Sequence, residues 1–302
     1  LEKILKNKKY DAVGIQVFTY HVEIVKKYVE LIKKILPHAY IIVGGPHPSA
    51  SPKDIIDYFP DIHFAFWGEA EIGLKELLDF LKKFKPLNTK LSEYSLHLQI
   101  IHGLIWKNGR ETRVNEKGYI EDLDKINFPA WDLMKPNEYP LAPHGAFFKN
   151  YPIAPIIIPR GCTYSCTYCA GHLISGKKLR KRGIENVIQE IKILTDNYGV
   201  KEIHIEDDNF TFYPDLVKEF CEALKKNNIA ISWTCPNGVR LDTSSKDILE
   251  LMKNSGLYAL SVGIESGSEK VLRDMKKSLT KDKIKEKLTL IQRHIIALEN
   301  KI

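Results

Sequence analysis

The chain has 302 residues, of which 44% are apolar, and a formal net charge of +7 at pH 7. No apolar run approaches the roughly 20 residues of a membrane span, so the sequence indicates a globular protein with a proper core. The basic residues are mostly scattered lysines, a pattern typical of a solvated surface rather than of a nucleic-acid interface.

The first part of the chain alternates short apolar runs with amphipathic segments. The runs predict strands over 10–18, 39–45 and 62–69, and the segments between them predict helices over 21–36 and 71–84. This alternation is typical of an open parallel α/β sheet.

Ligands of such sheets bind at the carboxyl ends of the strands, which here are followed by residues 18–21, 44–50 and 67–71. Residues 98–114 predict a hairpin with Asn108 and Gly109 at its turn. From 119 to about 150 the pattern breaks into Pro, Asp and aromatic residues, which indicates an ordered linker.

A second α/β series follows the linker. Its predicted strands are 153–160, 201–208, 229–235 and 257–264, and its predicted helices are 184–198, 215–227, 246–254 and a last one from about 281 to the end, with Ile284, Leu288, Ile291, Ile295 and Leu298 on one stripe. Four such units predict a TIM-type (βα) barrel or part of one.

Three of the five cysteines, Cys162, Cys166 and Cys169, have the spacing C-x3-C-x2-C directly after the first barrel strand. Three thiolates without an obvious fourth suit a [4Fe–4S] cluster with one iron left open. The alternative is a zinc site completed by His172. Cys221 and Cys235 are predicted core residues, and His204 is predicted to be a buried histidine with satisfied hydrogen bonds.

The stretch "RGCTYSCTYC" resembles the CxxxCxΦC signature of radical S-adenosylmethionine (SAM) enzymes, with Tyr168 at the aromatic position. The stretches "GGPHPSA", "WGEAE", "EDDNFTF" and "GIESGSE" are similar to segments of the cobalamin-binding branch, and the resemblance covers about residues 10–280. It implies a partial Rossmann-like, cobalamin-binding-type domain over 1–118, a linker over 119–150 and a partial radical SAM barrel over 151–302.

The resemblance also implies a mechanism and a set of binding residues. The cysteines hold a [4Fe–4S] cluster, SAM chelates its open iron, and reductive cleavage of SAM gives a 5′-deoxyadenosyl radical that acts on a small-molecule substrate. An electron donor such as ferredoxin or flavodoxin is expected, and cobalamin is a second expected cofactor. The expected cofactor-binding residues are Asp207, Asp208, Asn209, Arg240, Glu265 and Ser266 for SAM, and Gly44, Gly45, Pro46 and His47 for the corrin.

Local structure offers alternatives for these residues: a helix cap or turn for the Asp and Asn residues, a surface ion pair for Arg240, and a strand-ending turn for Gly44–Pro46. Methyl transfer is the expected chemistry, with oxidative cyclisation as a variant. A tRNA methylthiotransferase is disfavoured because no cysteine precedes Cys162, where such enzymes carry a second triad.

The sequence departs from the resemblance at both ends. The DxHxxG motif of some relatives is absent, and the chain begins at Leu1 and ends within "ALENKI", so a fragment lacking both ends is expected. The N-terminus has no apolar signal region, which predicts a cytoplasmic protein.

Overall fold

The computed structural model describes residues 1–7, 9–86, 91–141, 147–294 and 297–301. The chain divides into two compact units: unit 1 comprises Leu1–Ile120 and Ala170–Gly176, and unit 2 comprises Glu121–Cys169 and Lys177–Ile302. The predicted domain boundaries at 118 and 150 stay a prediction.

Unit 1 is built on a five-stranded sheet with the strands in chain order. The strands are β1 (Ala12–Gln16), β2 (Tyr40–Gly44), β3 (Phe64–Phe66), β4 (Leu104–Asn108) and β5 (Glu111–Val114). The first three are parallel, whereas β4 and β5 are antiparallel and form the predicted hairpin. The helices are α1 (Glu2–Asn7), α2 (Val22–Ile35), α3 (Pro46–Ala50), α4 (Ile55–Tyr58), α5 (Glu71–Phe84), α6 (Ser95–Leu98) and α7 (Gly171–Ser175).

The two faces of this sheet are covered by separate apolar clusters. On one side, α2 buries Val22, Val25, Val29 and Ile32 at helical spacing against Ile41 and Val43 of β2. On the other, α5 buries Leu77, Phe80 and Leu81 against Phe64 and Trp106. Full burial of such a side chain stabilises the fold by about 1.5–3 kcal/mol. The apolar stripes of α2 and α5 therefore hold one helix against each face of the sheet.

Unit 2 contains a five-stranded sheet whose paired strands all run parallel. In chain order these are β6 (Ile153–Ile156), β9 (Glu202–Ile205), β10 (Ser232–Val239), β11 (Leu257–Gly263) and β12 (Ala297–Lys301), and the short pair β7 (Pro159–Arg160) and β8 (Arg180–Lys181) lies apart. The helices are α8 (Ile184–Tyr198), α9 (Pro214–Lys226), α10 (Lys246–Asn254), α11 (Glu269–Asp274) and α12 (Lys281–His294). The fold is therefore the predicted α/β succession, a partial (βα) barrel.

Several predicted boundaries of unit 2 are wrong. The first strand, predicted over 153–160, ends at Ile156, and Pro159–Arg160 pair with β8 outside the barrel sheet. The second strand, predicted over 201–208, ends at Ile205.

The last helix ends at His294 rather than continuing, and residues 297–301 form a fifth strand, so Leu298 belongs to a strand. Pairing with β11 supplies the backbone hydrogen bonds of this segment, a long-range interaction that overrides the helical spacing. Ile295 lies outside the described residues. The third strand extends to Val239, so Cys235 lies within the strand rather than at its end.

Residues from the predicted linker pack within unit 2. The Trp131 indole donates to Glu190 Oε1 at 3.0 Å, and Arg182 forms an ion pair with Glu190 Oε2 at 2.6 Å. The Asp124 carboxylate accepts from Gly183 N at 3.0 Å, just before α8. Among the helices of the described segments, none has the length and apolar character needed to cross a membrane.

Candidate functional site

The cysteine loop begins directly after β7. Gly161 has φ = +97°, a left-handed conformation that glycine adopts without strain, and it turns the chain at the strand end. Cys162 and Cys166 are half-buried and Cys169 is exposed. Cys169 N donates to Cys166 O, and Thr167 N donates to Met275 O, both at 3.1 Å. The loop therefore holds its three thiols near the surface of unit 2 on a backbone that is tied down at two points.

The thiols are not arranged around a single metal ion. No three His, Cys, Asp or Glu side chains among the described residues converge as ligands of one ion. His172 lies in α7, three residues after Cys169. A zinc site needs its sulfurs within about 2.3 Å of one ion, and the described residues show no such preformed site. Zinc bound by the three cysteines and His172 stays the alternative to the cluster. The thiolates of a [4Fe–4S] cluster each ligate a different iron of one cubane, so their sulfurs surround the cluster at a wider spacing than the ligands of a single zinc ion.

The chain after β9 carries the predicted acidic residues. Asp207 is buried, and its Oδ1 accepts from Ile158 N at 2.8 Å, while its Oδ2 is buried without a partner among the described residues. Burial raises the pKa of Asp207 well above its ordinary value. Asn209 is also buried, with no partner for Nδ2 within the described chain and no capping hydrogen bond from its side chain. Asn209 stands at the N-cap position of the 3₁₀ turn Phe210–Phe212, and its carbonyl accepts from Phe212 N at 3.3 Å, so the cap-or-turn alternative holds for its backbone but not for its side chain.

Asp208 is exposed when the whole residue is considered. Its carboxyl group is nevertheless partly desolvated, and this raises the pKa of that group. Burial also raises the pKa of the Cys162 thiol, and the negative charge of Asp208 adds to that rise. The Asp208 carboxylate is thus close enough to the cysteine loop to influence it electrostatically.

Arg240 directly follows β10 and is buried. Its guanidinium forms a fork with Asp242, Nε to Oδ1 at 3.0 Å and Nη2 to Oδ2 at 2.9 Å, and Nη2 also donates to Lys277 O at 2.7 Å. The Tyr164 ring of the cysteine loop lies 3.7 Å from the guanidinium carbon. Nη1 is buried without a partner among the described residues. Arg240 is therefore in a buried ion pair rather than a surface one, and one donor is still available.

Glu265 and Ser266 follow β11. Glu265 has φ = +66°, a left-handed conformation that is uncommon outside glycine and asparagine. Its Oε1 accepts from Lys277 Nζ at 2.8 Å. Burial alone would raise the pKa of Glu265, but the hydrogen bond and charge of Lys277, with a hydrogen bond from Tyr168, lower it below its ordinary value. Ser266 Oγ accepts from Ser268 N at 3.0 Å. The carboxylate is therefore charged and fixed at the strand end.

In unit 1, the predicted corrin residues lie at the end of β2: Gly44 is its last residue, and Gly45, Pro46 and His47 follow it. Gly45 has φ = +101°, and a Cβ there would lie 2.9 Å from the Gln16 side chain, so the position requires glycine. Pro46 and His47 begin α3, so the strand-ending turn considered for Gly44–Pro46 leads directly into a helix, because proline favours the first helical turn. His47 Nδ1 lies 3.3 Å from Thr19 Oγ1. Thr19, His47 and Tyr58 line a cavity of about 420 Å³.

The remaining predictions concern buried residues. Cys221 and Cys235 are buried in the core, as predicted. His204 is fully buried and donates from Nε2 to Glu202 Oε1 at 2.9 Å, which confirms a satisfied histidine. Sequence reasoning missed Lys277, which contacts three segments of the site, because it is one of many lysines and belongs to no recognised motif.

Comparisons with known proteins match the two parts of the chain to two different family models. Residues 156–298 match the family model of the radical SAM superfamily, and residues 1–78 match that of the B12 binding domain. An uncharacterized methyltransferase of Pyrococcus horikoshii is 30% identical over 281 residues, covering 93% of this chain and 57% of the relative. A cytidylyl-2-hydroxyethylphosphonate methyltransferase of Streptomyces wedmorensis is 29% identical, covering 90% of this chain and 53% of the relative.

Solved structures show the same fold. The radical SAM methyltransferase TsrM of Kitasatospora setae, with tryptophan and a SAM analogue bound, has a TM-score of 0.74 at 14% identity and covers 99% of this chain and 57% of that one. The cobalamin-dependent radical SAM enzyme OxsB, with aqua-cobalamin and SAM bound, has a TM-score of 0.76 at 19% identity, covering 99% and 41%. The chain spans about half the length of the curated relatives it matches. It carries a B12 binding domain and a radical SAM domain, as the two family-model matches define them.

Proposed function

We propose that the protein is a cobalamin-dependent radical SAM enzyme that transfers a methyl group to a small molecule. Cys162, Cys166 and Cys169 would hold a [4Fe–4S] cluster. When bound, the cluster and SAM would supply the reductive cleavage that gives methionine and a 5′-deoxyadenosyl radical, with an electron from a donor such as ferredoxin or flavodoxin. Because that methionine keeps its methyl group, the transferred methyl group would come from a second SAM by way of cobalamin. Methyl transfer is favoured over oxidative cyclisation because the two relatives described above are methyltransferases. A cytoplasmic location and the absence of a nucleic-acid substrate are part of the proposal.

One observation carries the proposal: buried polar atoms without hydrogen-bond partners among the described residues follow consecutive strands of unit 2. Asp207 Oδ2 and Asn209 Nδ2 follow β9, and Arg240 Nη1 follows β10. Buried polar groups in native proteins are almost always hydrogen-bonded, so such atoms indicate a ligand with both donors and acceptors. SAM has an ammonium group, a carboxylate and two ribose hydroxyls, and these groups fit the chemistry of the set.

The roles of the binding residues follow from their charges. Asp208, with Asp207 and Asn209 beside it, would accept hydrogen bonds from the SAM ammonium group. Arg240 would donate from Nη1 to the SAM carboxylate. Glu265 would accept from the ribose hydroxyls, with Ser266 alongside, because a carboxylate with a lowered pKa stays ionised. In unit 1, Gly44, Gly45, Pro46 and His47 would form one wall of a corrin site.

Anaerobic reconstitution with iron and sulfide, followed by metal and labile-sulfide analysis, tests the cluster. We expect about four irons and four sulfides per chain in the wild type, and loss of both when Cys162, Cys166 and Cys169 are all changed to Ala. The matched control changes the buried Cys221 and Cys235 to Ala, which should leave cluster content unchanged. Stoichiometric zinc without sulfide would contradict the proposal.

SAM binding is tested separately by equilibrium dialysis on the reconstituted chain. Glu265→Ala should raise the SAM Kd about 10- to 100-fold, the equivalent of one charge-assisted hydrogen bond, without changing cluster content. Glu269→Ala is the matched control, because Glu269 lies on α11 in a long, exposed pair with Arg273. Equal SAM affinity in Glu265→Ala and the wild type would remove Glu265 from the site.

Cobalamin binding is tested by absorption titration with hydroxocobalamin. His47→Ala should weaken binding, because His47 is part of the proposed corrin wall after β2. His38→Ala is the control, since His38 is exposed and precedes β2, at the opposite edge of the sheet. Equal weakening in both variants, or no binding by any chain, would contradict the corrin site.

A further inference from the structure

Lys277 connects three separate parts of unit 2. It lies after α11 and is only 6% exposed, although it is charged. Its Nζ donates to Glu265 Oε1 at 2.8 Å and to Tyr168 Oη at 3.1 Å. Its carbonyl accepts from Arg240 Nη2 at 2.7 Å. One residue therefore contacts the cysteine loop, the end of β10 and the end of β11.

These contacts differ from an ordinary surface ion pair. A buried ammonium group is costly unless charged and polar partners surround it, so the position of Nζ is fixed by Glu265 and Tyr168 together. Tyr168 lies between Cys166 and Cys169. A shift of Nζ therefore disturbs the loop with the thiols and the carboxylate after β11 at the same time.

Gly263 provides the space for this arrangement. A Cβ at Gly263 would lie 2.6 Å from Glu265 Oε1 and 2.9 Å from Lys277 Nζ, closer than real side chains approach. Both atoms are at the ends of flexible side chains, so a methyl group at position 263 would displace the pair without requiring the backbone to move. The absence of a side chain at 263 is thus a condition for the contact between Lys277 and Glu265.

We propose that Lys277 is a positioning residue that holds Tyr168 of the cysteine loop and the Glu265 carboxylate in a fixed relation. Its role would be to align the loop proposed to ligate the cluster with the carboxylate proposed to hold the SAM ribose. The expected effect of Lys277 on SAM binding rests on the proposed function. Its effect on the cysteine loop does not depend on any cofactor.

The first experiment compares Lys277→Met with Lys276→Met in the reconstituted chain. Methionine keeps an apolar stem and removes the ammonium group, and Lys276 is the exposed neighbour of Lys277. We expect equal cluster content in both variants, a SAM Kd raised about tenfold in Lys277→Met only, and a smaller SAM-induced change in the electron paramagnetic resonance signal of its reduced cluster. Unchanged SAM affinity and an unchanged signal in Lys277→Met would overturn the inference.

The second experiment uses the cofactor-free chain, so that failure of the proposed function does not decide it. Amide hydrogen exchange of residues 161–169, including Thr167 N, should be faster in Lys277→Met than in Lys276→Met. Gly263→Ala should reproduce both effects with Lys277 and Glu265 still present, and it replaces Lys277→Met if that variant does not fold. Equal exchange in all variants overturns the inference whether or not the chain binds SAM. Absence of cluster and SAM in the wild type overturns the proposed function instead.

Discussion

The Tyr164 ring stacks on the Arg240 guanidinium, with the guanidinium carbon 3.7 Å from the ring centroid. Tyr164 lies between Cys162 and Cys166, so the stack attaches the cysteine loop to the end of β10. A cation–π contact of this kind contributes about 0.5–2 kcal/mol. Tyr164→Leu should therefore lower the free energy of unfolding by about 1 kcal/mol, measured by urea titration of the cofactor-free chain. Tyr164→Phe keeps the ring and should lose less; equal losses would show that stacking is not the stabilising interaction.

Thiol reactivity should separate the cysteine loop from the core. Burial raises the pKa of Cys221 to about 11 and that of Cys235 well above its ordinary value, and both side chains are buried. At pH 8 the folded, cluster-free chain should therefore react with Ellman's reagent at three thiols, Cys169 fastest, and at all five after denaturation. Cys169→Ala should remove the fastest phase. Modification of Cys235 before unfolding would contradict the prediction.

Glu202 should contribute stability that depends on its charge. It is fully buried, Oε1 accepts from His204 Nε2 at 2.9 Å and Tyr258 Oη at 2.6 Å, and Oε2 accepts from the backbone N–H groups of Lys149 at 2.8 Å and Asn150 at 2.6 Å. In Glu202→Gln the amide nitrogen replaces one acceptor, so the free energy of unfolding at pH 7 should fall by about 2 kcal/mol.

The pH dependence of this loss follows from the pKa of Glu202. Burial alone would raise it, but the hydrogen bonds, that of His204 first, lower it below the ordinary 4.5. A lowered folded-state pKa gives stability that is complete above the unfolded value and is lost as the pH falls through the folded value. The difference between wild type and Glu202→Gln should therefore shrink below pH 4.5. Glu219→Gln, in an exposed pair with Lys181, should cost under about 1 kcal/mol; an equal cost would contradict the prediction.

Two glycines with left-handed backbone should respond differently to alanine. Gly256, before β11, has φ = +112°, and a Cβ there would lie 2.1 Å from Ile231 O, a backbone atom. Gly199, at the end of α8, has φ = +63° and open space around the Cβ position. Gly199→Ala should cost about 1 kcal/mol of folding free energy from backbone strain alone. Gly256→Ala should cost clearly more folding free energy than Gly199→Ala, seen as a larger fall in Tm. Similar Tm values for the two variants would show that the backbone at Ile231 moves away from the new Cβ at little cost.

Local signals in the sequence were sufficient for most of the fold. The stripes of α2, α5, α8 and α9 and the apolar runs of β2 and β9 are short-range patterns, and each corresponds to an element of the structure. The strand β12 was missed because its identity depends on pairing with β11, whereas its apolar spacing continues that of α12. The secondary structure of a short segment cannot be predicted from periodicity when it is decided by pairing with a strand distant in sequence.

The candidate site was only partly predictable for a similar reason. The cysteine spacing and the carboxylates at strand ends are visible in the sequence, because function at a strand end needs particular residue types there. Lys277 has no such signal: its burial depends on the left-handed turn at Lys276 and Ser278 and on the absence of a side chain at Gly263. The stacking of Tyr164 on Arg240 likewise joins residues that are far apart in sequence.

The discontinuity of unit 1 limits how this chain can be recombined. The chain passes from one unit to the other at Ile120–Glu121, returns at Cys169–Ala170 and passes again at Gly176–Lys177. A single cut or fusion joint after residue 120 therefore leaves residues 170–176, including α7, in the wrong polypeptide. A chimaera that exchanges the B12 binding domain with that of a relative would also have to exchange this seven-residue insert, which begins at the residue after Cys169. Unit 1 is therefore encoded by two separate segments of the gene and cannot be exchanged at a single junction.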